Sequence, residues 1–395
     1  MDLNIVNKSN PPILILLVGI FTIIPNTTYG QYLRMAILLF AFIYMIIVKK
    51  QTKIDIYTFK LIGLMILSIF ISMVSVYLIE HSINMQLVIH ELTRLMMNSL
   101  ILILFFRRKS IYKYVYIVCL INIGTIFFVQ LLQSISPVSI NQFIKTYYVN
   151  ADSSAHHLNL ALETRGLFRA GAFLINPNIC ACAVVLCCPH LFKGLRNNKY
   201  RLISVISLTI AFLSIILSGS RTGLLIFAII TMIYFFLGEL QNKYKILILF
   251  IVLISLIFLL FFMNSGFSLS NYRSFDIVGA LNQSLFEKFG IFINYFKSAN
   301  PLYWLTGSLG GYSSNFQTDS EWGYIISYFG IVGLAWYLKL INGIKFSNND
   351  DKVFYLQYQL ELILMAFTET IFMCMPVAPL FMVLALSDSK EDDLI

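Results

Sequence analysis

Apolar residues run through this chain in blocks long enough to cross a bilayer, and the blocks recur along its whole length. A helical span needs about 20 predominantly apolar residues. The pattern predicts helices at about 13–29, 32–48, 57–79, 83–106, 112–134, 168–192, 202–218, 221–238, 244–263, 322–341, 354–373 and 375–387, the last being the shortest. Every second polar break is cationic: Lys49, Lys50 and Lys53; Arg107, Arg108, Lys109 and Lys113; Lys193, Arg196, Lys199 and Arg201; Lys243 and Lys245; Lys339, Lys345 and Lys352. The opposite connections at Thr27–Gln31, Glu80–Asn84 and Met375–Pro379 are short and poor in Lys and Arg. Cytoplasmic loops carry the Lys/Arg excess, so the asymmetry predicts an even number of spans with both ends cytoplasmic.

Two connections on the outer face are longer, Ser134–Leu167 and Asn264–Glu321. In the second, the runs Val278–Phe289 and Ile291–Lys297 predict short interfacial helices with aromatic faces. The loop is too rich in Phe, Tyr and Trp for a disordered segment and is expected to cap the outer side of the bundle. No polar stretch is long enough for a separate soluble domain. The expectation is one transmembrane domain over 1–395, all-α, with about 12 spans and the large loop 264–321 between spans 9 and 10. Lys8, Pro11-Pro12 and the run Ile13–Ile24 resemble a signal peptide, but no small-x-small site follows and Pro25–Tyr29 reads as a turn, which predicts an uncleaved first span.

Composition agrees with the pattern: 58% of the 395 residues are hydrophobic and 12% charged, with mean hydropathy +0.80, outside the range of soluble domains. The net charge of +9 would suggest a polyanion partner in a soluble protein. Here most of it is topogenic, and nucleic acid is not an expected partner. All six cysteines, Cys119, Cys180, Cys182, Cys187, Cys188 and Cys374, fall in or beside apolar runs, and no histidine completes a zinc-finger spacing. They read as small packing residues.

The informative cations are those the topology does not require. Arg165, Arg169, Arg221 and Arg273 lie at or near the outer face. A guanidinium at bilayer depth costs about 2.5–3.5 kcal/mol on insertion scales, so its default reading is a site residue. Arg221 sits in Ser218-Gly219-Ser220-Arg221-Thr222-Gly223, between the apolar runs Leu202–Leu217 and Leu224–Leu237. Arg165 and Arg169 are four apart, on one face of any helix through them, and open a span carrying Asn176-Pro177-Asn178. A proline between two asparagines in an apolar run frees carbonyls that need a polar cavity or a neighbouring helix. For each arginine alone, snorkelling to headgroups is the competing reading. Four of them on one leaflet favour a strongly anionic ligand such as a diphosphate, bound through bidentate charge-assisted hydrogen bonds.

Carboxylates are scarce. Asp319 and Glu321 sit where the large loop re-enters the membrane, placed to accept a proton from a sugar hydroxyl or to pair with an arginine. Glu361 and Glu369 fall in the span 354–373 and are costly facing lipid, and Glu91 and Arg94, three apart, are expected to pair. His156-His157 read as surface residues. A Ser/His/Asp arrangement, a Walker-type loop and an Asp-rich magnesium motif are all missing from the sequence, which argues against ATP and nucleotide-sugar donors.

Taken in order, Arg165-Gly166 to Asn178, Ser218–Gly223, a long loop with Arg273 and Asn300-Pro301-Leu302 to Gly307-Ser308-Leu309-Gly310-Gly311-Tyr312, then Asp319-Ser320-Glu321 and Gly330-Ile331-Val332-Gly333 resemble the O-antigen polymerase and O-antigen ligase superfamily. The resemblance covers about Arg165–Leu338. It implies a GT-C-like, metal-independent, cofactor-free, inverting glycosyltransferase of the bacterial inner membrane, acting at the periplasmic face on undecaprenyl-diphosphate-linked oligosaccharide, with a chain-length regulator and a flippase as further partners. It implies that Arg221, Arg165, Arg169 and Arg273, with Asn176, Asn178 and Ser220, hold the diphosphate and glycan, while Glu321 or Asp319 orients or deprotonates the acceptor. Ligases of the superfamily usually carry a histidine near the re-entry; Asp319-Ser320-Glu321-Trp322 lacks one, which favours polymerase over ligase. The competing class is a carrier, such as a lipid-linked-oligosaccharide flippase.

Overall fold

A computed structural model describes residues 12–47, 56–106, 112–148, 170–237, 290, 293–315, 320–347, 351–367, 369 and 374–386. The described residues form helices joined by turns and contain no β-strand. The helices are α1 (Pro12–Gly19), α2 (Thr28–Ile47), α3 (Ile56–Glu80), α4 (Met85–Phe105), α5 (Tyr112–Ile135), α6 (Pro137–Tyr147), α7 (Pro177–Arg196), α8 (Arg201–Ser218), α9 (Arg221–Leu237), α10 (Leu302–Thr306), α11 (Glu321–Ser347), α12 (Lys352–Met365) and α13 (Ala378–Ala385). Seven of them, α2, α3, α4, α5, α7, α8 and α11, are long and apolar enough to cross a membrane, so the chain is an all-helical, multi-pass membrane protein.

At the centre stands α7, packed against α5, α8, α9, α12 and α13. Its residues from Cys180 to Leu195 are all buried, as expected of a helix that is apolar all round. The five cysteines Cys119, Cys180, Cys182, Cys187 and Cys188 are free and buried, and Cys374 is half-buried, in keeping with packing residues. Tyr112 donates to the His190 carbonyl at 2.9 Å and His190 Nε2 meets the Leu384 carbonyl at 3.0 Å, tying α5 and α13 to this axis. Around it, α11 packs on α3, α10 and α12. Glu91 and Arg94 form the expected buried pair on α4, and Tyr324 of α11 donates its hydroxyl to the same Glu91 oxygen.

Four spans differ from the sequence expectation, the last two of them together. The first, expected at 13–29, is helical only over Pro12–Gly19. Carbonyls released beyond the break are taken up by side chains: Asn122 donates to Gly19 O at 2.8 Å, and the buried Arg34 of α2 donates to Phe21 O at 3.2 Å and to Ile24 O. The span expected at 168–192 begins only at Pro177. Asn176-Pro177 is a helix start rather than a mid-helix kink, since proline at the first helical position lacks only an N–H that would have no partner and Asn176 Oδ1 caps Asn178 N at 2.9 Å. Third, α12 stops at Met365 and α13 has eight residues, all buried. At 1.5 Å per residue α13 is about 12 Å long, too short to cross. The span expected at 244–263, and the runs 278–289 and 291–292 of the large loop, lie outside the described residues.

Candidate functional site

The turns between α3 and α4, α8 and α9, and α10 and α11 lie at one end of the bundle together with the lead-in to α7. Pairings between helices fix their depth. Tyr358 of α12 donates to Leu186 O of α7 at 2.8 Å, and Arg196 at the far end of α7 pairs with Asp351 at the start of α12 at 3.1 Å, so α7 and α12 are antiparallel. Eight residues on from Tyr358 is Ala366, and eight back from Leu186 is Asn178. Gln357 donates to Ile230 O of α9 at 2.9 Å, and nine residues along from each lie Ala366 and Arg221. All helices rise equally per residue, so Asn178, Arg221 and Ala366 share one level. Ala366 O in turn accepts from Glu321 N at 2.9 Å and from Ser320 Oγ at 2.9 Å. Asn176–Asn178, Ser220–Arg221 and Glu321, distant in sequence, therefore come to the same depth.

The α8–α9 turn is built by its own small polar residues. Gly219 ends α8 at φ 59°, ψ 26°, a left-handed cap that glycine adopts without a Cβ penalty. Ser218 Oγ accepts from Ser220 N at 3.2 Å, and Ser220 Oγ accepts from Gly223 N at 3.2 Å, which caps α9 and makes Arg221 its first residue. A Cβ on Gly223 would lie 2.7 Å from Cβ of Ala181, so glycine is what lets α9 approach α7.

Against this turn lies the irregular stretch before α7, which holds a single 3-10 turn at Ala172–Leu174, with Ala170 N donating to Leu217 O at 3.1 Å. Its polar backbone is held from α5, α6 and α8. Gln130 bridges Ala170 O at 3.1 Å and Ser214 Oγ at 2.6 Å, while Gln133 accepts from Ala172 N at 3.0 Å and donates to Asn141 at 2.7 Å. Ala172 (φ 47°) and Ile175 (φ 66°) occupy the left-handed region, at about 1–3 kcal/mol each. Strain of this kind, over-determined by buried hydrogen bonds, is characteristic of functional lead-ins.

Glu321 is fully buried at the start of α11, where a carboxylate meets the positive end of the helix. Tyr337 donates to its Oε2 at 3.5 Å. Cys374 lies within electrostatic reach of Arg34, Glu369 and Glu321, and Arg34 is a buried cation missing from the sequence-level set. Arg34 stands in the second turn of α2, within hydrogen-bond reach of the segment that precedes that helix. Glu361 and Glu369 are buried as well, and neither Glu361 oxygen has a hydrogen-bond partner among the described residues.

The part of the large loop that is described is docked into the bundle. Glu80 Oε1, at the end of α3, accepts from Tyr303 Oη at 2.6 Å and Tyr312 N at 2.8 Å. Ser308 donates through its N to Ser327 O at 2.9 Å and meets Tyr295 Oη at 2.9 Å, Leu309 N donates to Ser72 Oγ at 2.7 Å, and Asn84 N donates to Gly310 O at 2.6 Å. Burial pushes the Tyr295 phenol up to about 12, and burial with the neighbouring Glu80 carboxylate pushes Tyr303 up too, so both stay neutral donors. Gly330 (φ 62°, ψ −156°) breaks α11 where α10 arrives: a Cβ there would lie 2.2 Å from Leu305 O and 2.6 Å from Gly307 N.

Of the sequence-level candidates, Asn176, Asn178, Ser220 and Glu321 are placed as above and Arg221 by its backbone. Arg165, Arg169, Arg273 and Asp319 lie outside the described residues. The chain matches no family model and no curated protein.

Proposed function

We propose that the protein is an O-antigen polymerase: a metal-independent, inverting glycosyltransferase that joins undecaprenyl-diphosphate-linked repeat units at the periplasmic face of the inner membrane. The single observation that carries this reading is the common depth of Asn176–Asn178, Ser220–Arg221 and Glu321. Non-helical backbone at membrane depth is tolerated only where it is buried in protein or lines a polar cavity, and this level holds two such breaks, one of them strained.

In the proposed mechanism Arg221, Arg165, Arg169 and Arg273 bind the diphosphate of the donor, with Asn176, Asn178 and Ser220 lining the glycan path. As the anomeric C–O bond to the diphosphate breaks, the guanidiniums stabilise the developing charge. Glu321 or Asp319 takes the proton from the acceptor hydroxyl as its oxygen attacks the opposite face of the anomeric carbon. The burial of Glu321 suits a group that must be shielded from water until an acceptor arrives. On this reading the loop 264–321 caps the periplasmic side, and a chain-length regulator and a flippase act beside the protein.

One observation favours a carrier instead: Glu361 lies in the interior with neither oxygen hydrogen-bonded among the described residues, and buried intramembrane acids often mark transport pathways. A gel of surface lipopolysaccharide from a strain lacking this gene separates the readings. Polymerase loss leaves lipid A-core capped with a single repeat unit. Bare core contradicts the polymerase reading; lipid-linked polymer then accumulating outside marks a ligase, and repeat units trapped inside mark a flippase.

A further inference from the structure

Residues 293–306 present two faces. Inward, Tyr295, Ala299 and Tyr303 recur every four residues and pack on Val76 of α3. Outward, Ile293 (47%), Leu302 (42%), Trp304 (44%) and Leu305 (55%) are about half exposed among the described residues, and Lys297 is exposed beside them. The outward face is held rigidly, because Thr306 Oγ1 donates to Ser75 Oγ at 2.8 Å, Tyr303 to Glu80 at 2.6 Å, and the Trp304 indole rests edge-on against Phe296 at 4.9 Å. These bonds set α10 level with residues 75–80, the last turn of α3. At that level α3 itself exposes Tyr77 (59%) and Leu78 (64%), continuing a stripe through Phe70 and Val74. The apolar surface of a spanning helix therefore runs onto α10.

We infer that the outward face of residues 293–306 is seated in the headgroup–acyl boundary of the bilayer, anchoring the docked loop to the leaflet. The residues are the types such a site takes: an indole at headgroup level, aliphatic side chains beneath it, and a lysine whose ammonium reaches the phosphates while its stem lies on apolar surface. A glycan platform would use similar aromatics but needs hydroxyl or amide donors beside them. Here the tyrosine hydroxyls are consumed within the fold: Tyr295 serves Ser308 and Ser327, Tyr303 serves Glu80, and Tyr312 donates to Ser298 at 2.6 Å. The inference rests on the membrane character of the chain and is independent of the polymerase reading.

The test uses the full-length protein in lipid nanodiscs. The chain has three tryptophans; Trp336 is buried and Trp322 half-buried, so wild type minus Trp304→Phe isolates the Trp304 emission. The expected result is a larger loss of that emission with lipid brominated near the glycerol than with lipid brominated near the chain end, and little loss with aqueous iodide. Quenching by iodide alone overturns the inference and marks a water-facing surface such as a glycan platform. Equal or greater quenching by the deep bromine overturns it as well, because the segment then sits in the hydrocarbon core.

Discussion

Replacing Gly330 with alanine tests how the loop is joined to the bundle. The residue sits at φ 62°, ψ −156°, a region populated essentially by glycine alone and costing other residues about 1–3 kcal/mol. The added Cβ would stand 2.2 Å from Leu305 O, 2.5 Å from the Leu305 carbonyl carbon and 2.6 Å from Gly307 N. All three are backbone atoms, so relief requires moving α10 away from α11, at about 1–3 kcal/mol for an overpacked contact. The sum, about 2–6 kcal/mol, is a large part of a typical folding margin. Gly63→Ala is the control, since a Cβ there meets nothing within 4 Å and alanine is the better helix former by about 1 kcal/mol. The assay is thermal unfolding of the purified protein in nanodiscs with protease sampling of residues 300–313. Gly330→Ala is expected to expose that segment and lower the transition temperature, while Gly63→Ala leaves the segment protected and the transition temperature unchanged or higher. Gly307 (φ 76°) faces the same contact, a Cβ there lying 2.3 Å from Tyr328 O, so Gly307→Ala/Gly330→Ala is expected to lose less than the sum of the single variants. A Gly330→Ala protein as stable and as protease-resistant as wild type would refute the reasoning.

Arg94→Met strands Glu91 and is expected to cost about 3–5 kcal/mol, whereas Glu91→Leu/Arg94→Met recovers most of it; the melting temperatures of both variants decide. Arg34→Gln shortens the donor that serves Phe21 O and Ile24 O, at about 1–3 kcal/mol per carbonyl left without a partner, read as a lowered transition temperature with unchanged helix content. Glu80→Gln exchanges charge-assisted bonds to Tyr303 and Tyr312 for neutral ones at about 1 kcal/mol, and Glu80→Ala removes both; protease nicking of 300–313 is expected to rise in that order.

The spans of α2 to α5, α8 and α9 were legible because their hydropathy is continuous and their ends coincide with polar breaks. The segment that follows α1 and the lead-in to α7 were not. Hydropathy reads Gly19–Ile24 and Ala170–Ile175 as membrane, and it is indifferent to whether their backbone groups are served by the next turn of helix or by Arg34, Asn122, Gln130 and Gln133 from other helices. The common depth of Asn178, Arg221 and Glu321 was beyond any one-dimensional reading, since it depends on which face of α12 meets α7 and α9. The glycines of Gly307–Gly311 and Gly330 stood out in the sequence, but only contact between their backbones shows that they serve one joint.

The central claim is an anion site around Arg221. The most direct measurement is the lipopolysaccharide ladder of a deletion strain carrying Arg221→Ala, with the amount of protein in the membrane determined alongside. Arg221 opens α9 at its first position, and the turn that sets it there is held by Ser218 and Ser220, so normal membrane levels are expected with the long ladder lost and a single capped repeat remaining. Long polymer at normal levels from that variant would contradict the account.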